Sequence, residues 1–145
     1  MLDRLVVERK AQQLAQYLGE LRAFEGVSFK QFLADMTTRY AVERLMQLIV
    51  DEAIDINGRL ILASRQAPPK DYYTSFVQLA SLGVYGRSAA QALAPTTALR
   101  NALVHEYEEI NAQEVHRHIR RFLMLYPRYL RDVLKFIKRH RSFSE

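Results

Sequence analysis

The sequence predicts an all-α domain, a bundle of four or five antiparallel helices. Three observations predict it. Apolar residues recur at spacings of three and four along most of the chain, the period of a helix that buries one face. Gly and Pro are scarce, five and four residues respectively. Residues that favour helix starts, such as Ser28, Asp35 and Asn111, stand just ahead of the periodic stretches. The 145 residues, 49% of them hydrophobic, suit one domain over residues 1–145 with a substantial core.

A first helix over residues 3–24 carries Leu5, Leu14, Leu18 and Leu21 on one stripe, and Gly26 ends it. Ser28 and Gln31 have the spacing of a capping box. Two arrangements fit residues 29–64: a short helix leading into a longer one, or one continuous helix. Asp35 or Thr37 would cap a restart. Val42, Leu45, Met46, Ile49, Ala53, Ile56 and Leu60 form the strongest apolar stripe of the chain. Pro68 and Pro69 make residues 65–71 a loop. A third helix covers residues 72–82 and ends near Gly83. Another begins at Gly86, and Pro95 either kinks it or opens a new helix. Residues 96–110 continue the helical pattern. Asn111 and Glu114 resemble a cap and box for a last helix over 112–139, in which Pro127 predicts a kink or break.

Composition narrows the function. The absence of cysteine excludes disulfides and thiolate metal sites. No apolar run approaches the roughly 18 residues of a membrane span, and residues 1–5 lack a signal-peptide layout. The expectation is a cytoplasmic protein with no membrane contact. The net charge of +5 is uneven: Arg117, Arg120, Arg121, Arg128, Arg131, Lys135, Lys138, Arg139 and Arg141 face one acid, Asp132, in the last helix and its tail. Such a basic segment attracts phosphate polymers, or serves as a solvated face or a partner's dock. Arg117, Arg120, Arg121, Arg128, Arg131, Lys135 and Lys138 are the RNA-binding candidates.

The most informative stretch is Arg100-Asn101-Ala102-Leu103-Val104-His105-Glu106-Tyr107. On a continuous helix Arg100 and Tyr107 lie two turns apart on one line, Asn101 and His105 stack at i, i+4, and all four share an arc of about 160°. A histidine moves protons near neutral pH, and an arginine holds phosphate oxygens as charge builds. An amide orients either. No carboxylate cluster accompanies them to hold Mg²⁺. These groups suit metal-independent cleavage of RNA, with the ribose 2′-OH as nucleophile and a 2′,3′-cyclic phosphate product. The expected catalytic set is Arg100, His105 and Asn101, with no metal and no cofactor. One imidazole does not easily serve as base and acid together, and a symmetric homodimer with two motifs across one cleft would supply both. The plainer alternative is a hydrogen-bonded pair or surface patch.

Residues 100–110 resemble the Arg-x4-His signature of the HEPN superfamily, and more narrowly the Arg-x4-His-x-Tyr form of HepT-type toxins. Residues 39–47 and 51–56 are similar to that family's second helix. The resemblance covers about residues 3–135. It implies a dimeric helical-bundle ribonuclease toxin acting on tRNA or mRNA, with Arg100 and His105 catalytic and Asn101 assisting. It also implies a cognate antitoxin, a minimal nucleotidyltransferase (MNT) that transfers AMP to the motif tyrosine, here Tyr107. An anionic AMP there would fill the cleft and occupy the arginine. Two other functions stay open: a non-catalytic substrate-binding or regulatory subunit of a minimal nucleotidyltransferase, and a helical interaction protein without a nucleic acid target.

Further candidates are weaker. Asp51, Glu52 and Asp55 share a region of one helix and could hold a divalent metal, pair with Arg and Lys of a neighbouring helix, or face a partner. His116 and His118 are two apart and do not share a face. Tyr72 and Tyr73 could stack on bases or anchor their loop. Tyr17, Tyr40, Tyr85, Tyr126 and Tyr129 read as core or interface.

Overall fold

The computed structural model describes residues 3–105 and 110–140, and the described residues form helices and connecting turns only. Five helices have nine or more residues: α1 (Arg4–Arg22), α3 (Met36–Ala63), α4 (Tyr72–Ser81), α6 (Thr96–Val104) and α7 (Ala112–Arg139). Two short ones, α2 (Phe29–Ala34) and α5 (Arg87–Leu93), complete the order.

The starts lie where the cap residues stand. Asp3 accepts from the amides of Leu5 and Val6, satisfying donors that an α-helix leaves unpaired. Ser28 and Gln31 form the reciprocal capping box of α2. Asp35 ends α2 with extended backbone and caps α3 through Thr37 and Thr38. The two-helix arrangement of this region is therefore the observed one. Hydrogen bonds from Thr38, first its hydroxyl and then its amide, hold the Asp35 carboxyl below the usual aspartate range. Asp71 and Asn111 cap α4 and α7 in the same way.

Packing follows the apolar stripes. Val7, Ala11, Leu14, Leu18 and Leu21 bury one face of α1 against α3 and α7. Lys10, early in α1, meets Asp55, late in α3, so these two helices run antiparallel. Arg39 meets the carbonyl of Ile110 at one end of α3, and Asn57 meets Tyr129 further along, so α3 and α7 run in the same direction. Burying about 33 mostly aliphatic and aromatic side chains supplies the main driving force for the fold. Pro127 does not break α7, which continues through it from Ala112 to Arg139. Tyr126 and Tyr129, both in the core, hold the helix on either side of the lost amide donor.

One buried polar chain crosses the core. The Tyr129 hydroxyl donates to Asn57 Oδ1 at 2.6 Å, and the carbonyl of Ala53 lies at 3.1 Å. Asn57 Nδ2 donates to Ser75 Oγ at 3.0 Å, and Ser75 donates to the carbonyl of Tyr72 at 2.7 Å. Burial holds the Tyr129 phenol well above its ordinary pKa, so it remains a donor. This chain fixes the first turn of α4 against α3 and α7.

Candidate active site on the short helix α6

The motif lies on α6 and its C-terminal end. Pro95 begins a new helix after α5 and a short turn, the second of the two options that the sequence leaves open. The first turn is anchored from inside. Thr96 Oγ1 donates to the carbonyl of Leu93 at 2.7 Å and accepts from the Tyr126 hydroxyl at 2.7 Å. Thr97 Oγ1 donates to the carbonyl of Ala94 at 2.7 Å. Both threonines are buried, and burial raises the Tyr126 phenol above its ordinary pKa.

Arg100 is held on three sides. Its Nε donates to Asp51 Oδ1 at 2.6 Å, and the pair is partly shielded from solvent. Its Nη1 donates to Asn101 Oδ1 at 3.2 Å. Its guanidinium carbon lies 5.0 Å from the centre of the Tyr72 ring, within cation–π range. The carboxylate, amide and ring leave the guanidinium with a defined direction and further N–H groups for a second anion.

The helix is shorter than the motif. Residues 96–110 read as one helical pattern, yet α6 ends at Val104. His105 is its C-cap, with φ −89° and ψ 85°, and its amide donates to the carbonyl of Asn101 at 3.0 Å. The acids Glu106, Glu108 and Glu109 would extend the helix with negative charge at its negative end, which disfavours continuation. The continuous-helix geometry for Arg100, Asn101, His105 and Tyr107 is corrected accordingly: the first two lie on α6 and His105 turns out of it. Tyr107 lies outside the described residues. On the far side of that segment, Arg39 Nη2 donates to the carbonyl of Ile110 at 3.4 Å, tying the entry to α7 onto α3.

The acidic residues of α3 are distributed among cations. Asp51 takes Arg100, while Asp55 takes Lys10 at 2.5 Å and Arg59 at 3.2 Å. Glu52 Oε2 is buried without a hydrogen bond, because Lys10 lies 3.9 Å away on Asp55. Burial is the main cause that raises the Glu52 carboxyl above the usual glutamate range, and Lys10 opposes it. His116 and His118 do not converge: His116 Nε2 meets the carbonyl of Val27, and His118 Nδ1 meets that of Glu114.

The basic candidates of α7 are all exposed. Arg117, Arg121, Arg128, Arg131, Lys135 and Lys138 are spaced by threes, fours and one seven, so they line one face of the helix, with Arg120 beside it. Arg117 pairs with Glu114 and Arg131 contacts Asp132. Sequence reading did not find Asn57 or the Arg100–Tyr72 contact. An asparagine inside an otherwise apolar stripe was the available signal for the first.

No described helix is long and apolar enough to cross a membrane. The model for the family described as ribonuclease HepT-like matches residues 14–139. The chain is 29% identical over 136 residues to a tRNA nuclease HepT of Aphanizomenon flos-aquae, covering 94% of this chain and 92% of that protein. Two of the solved structures that share its fold differ in kind. One is a tri-AMPylated Shewanella oneidensis HEPN toxin in complex with MNT antitoxin: TM-score 0.79, 22% identity, 90% of this chain and 96% of the other. The second is the Bacillus subtilis cytosolic protein YutE, of unknown function: TM-score 0.83, 15% identity, 99% of this chain and 95% of the other. With a family match spanning the bundle from α1 to α7, the chain belongs to the ribonuclease HepT-like family.

Proposed function

We propose that the chain is the toxin of a toxin–antitoxin pair, a metal-independent endoribonuclease centred on Arg100 and His105. The observation that carries the reading is the pre-oriented Arg100, aimed by Asp51, Tyr72 and Asn101 five residues before His105 on a family-matched helix. In the proposed step the ribose 2′-OH attacks phosphorus and the 5′-oxygen leaves, giving a 2′,3′-cyclic phosphate and a 5′-hydroxyl. His105 takes the 2′-OH proton, and Arg100 holds the phosphate oxygens as negative charge develops. Asn101 orients Arg100. A homodimer with facing motifs lets the second copy's histidine protonate the leaving oxygen.

The relative named a tRNA nuclease favours transfer RNA as substrate. The exposed cations of α7, Arg117 to Lys138, would then hold its backbone. The Shewanella toxin, AMPylated and bound to MNT antitoxin, supports neutralisation by a nucleotidyltransferase that transfers AMP to Tyr107.

The test is cleavage of total tRNA in excess EDTA by protein made without its antitoxin, beside Arg100→Ala and His105→Ala. Wild type alone should cut and leave cyclic-phosphate ends. Both variants should lose roughly 10²–10⁴-fold in rate while keeping the wild-type melting temperature. A His105→Ala protein as active as wild type would overturn the catalytic assignment. If wild type cuts no RNA, the regulatory-subunit reading replaces this one.

A further inference from the structure

Two exposed aromatic side chains open α4 beside the candidate site. Tyr72 is 44% exposed although one side of its ring meets the Arg100 guanidinium. Tyr73 is 49% exposed and lines a groove of about 500 Å³ between α4 and α5. Val77, Ala80 and Ala90 contribute apolar surface to that groove, and Arg87, Ser81 and Gln91 contribute polar groups. Nothing in the core requires these two rings outside. The Ser75–Tyr72 carbonyl contact and the Asp71 cap already anchor the first turn of α4.

Exposed aromatic rings, a partly apolar groove and a cation in its lining, next to the arginine proposed to hold phosphate, match one ligand chemistry. Unpaired nucleobases stack on tyrosine, and guanidinium groups neutralise the phosphates between them. Resting on the ribonuclease reading of Arg100 and His105, we propose that Tyr72, Tyr73 and the α4–α5 groove form a nucleobase subsite for single-stranded RNA. The base next to the phosphate on Arg100 stacks on the outer side of the Tyr72 ring. The following base enters the groove against Tyr73, and Arg87 takes the next phosphate. Successive residues of a helix point about 100° apart, so the strand turns as it passes from one ring to the next. A duplex, whose bases are already stacked, cannot make this turn, and the subsite selects unpaired RNA.

The test is binding, measured by fluorescence anisotropy, of a labelled strand of about 12 nucleotides that is 2′-O-methylated throughout and so cannot be cut. A probe of the same length carrying abasic riboses has the same charge and no bases. Wild type should prefer the base-bearing probe by about tenfold or more. Tyr73→Leu should reduce that preference to below about threefold, while Arg87→Ala should weaken both probes alike. Equal affinity of wild type for both probes, binding of neither, or a preference intact in Tyr73→Leu overturns the subsite. Cleavage of total tRNA by the same preparations separates the two readings. Cleavage without base preference removes the subsite and leaves the ribonuclease. Base preference without cleavage removes the ribonuclease assignment.

Discussion

Tyr129→Phe probes the buried polar chain that seats α4 beside Arg100. The substitution removes one oxygen and changes little else. Asn57 and Tyr129 are 0% and 1% exposed, so no water replaces the lost donor. The hydroxyl lies 2.6 Å from Asn57 Oδ1, and deleting it strands that oxygen in the core. The lost hydrogen bond and the unsatisfied acceptor together cost about 2 kcal/mol, or about 4–8 °C in melting temperature for a domain of this size. In an Asn57→Ala background the stranded oxygen is already gone. There the phenol gives up only its longer, 3.1 Å approach to the Ala53 carbonyl, and the same substitution should cost about 0.5 kcal/mol. Thermal melts of the four proteins form a double-mutant cycle with an expected coupling of about 1.5 kcal/mol. Equal shifts in both backgrounds would refute the reasoning, since they would show that the two groups do not depend on each other.

Asp51→Asn keeps an oxygen for Arg100 but removes the charge that aims it; tRNA cleavage should fall by about tenfold, with the melting temperature within about 2 °C of wild type. A variant as fast as wild type would show that Arg100 is positioned without Asp51. Glu52 has a folded-state carboxyl raised above its unfolded value near 4.5, chiefly by burial, so its charged form opposes folding at neutral pH. That penalty is relieved as pH falls through the raised folded value towards 4.5, and Glu52→Gln should flatten the stability–pH profile in that window without loss at pH 7. A destabilised Glu52→Gln protein at pH 7 would point to a net favourable contact with Lys10. Pro127→Ala returns an amide donor to the middle of α7 and should raise the melting temperature by several degrees, for about 1–2 kcal/mol. A lower melting temperature would mean that the proline shapes the helix for packing.

The local parts of the fold were legible because their causes are local. Ser28, Asp35 and Asn111 cap helices through amides two or three residues away, so sequence spacing carries the whole interaction. Asp51 was legible only as a choice between metal and ion pair, because its partner Arg100 lies 49 positions away in sequence. Asn57 interrupts an apolar stripe, but its meaning depends on Tyr129, 72 positions on. The C-terminal end of α6 escapes the periodicity for a different reason. The apolar period runs on past His105, while the acids at 106, 108 and 109 and the cap at Asn111 set a competing boundary that periodicity does not register.

That boundary matters for the chemistry. Were the helix continuous through residue 107, the arginine, histidine and tyrosine would share a single rigid face. Instead Arg100 belongs to a short helix pinned by Thr96, Tyr126 and Asp51, and His105 sits where the backbone leaves it. The proposed phosphate-binding group, Arg100, is thus fixed by the core, while the proposed proton-transfer group, His105, stands at the C-terminal end of α6. The proposed AMP transfer to Tyr107 would act two positions after His105 in sequence and seven after an arginine that the core holds in place. Asp51 and Asn101 occupy two of the five N–H groups of the guanidinium, so an anion bound there meets the donors that remain. An AMP phosphate and an RNA phosphate would compete for those same donors, and this competition is the physical basis on which AMP transfer would silence the enzyme.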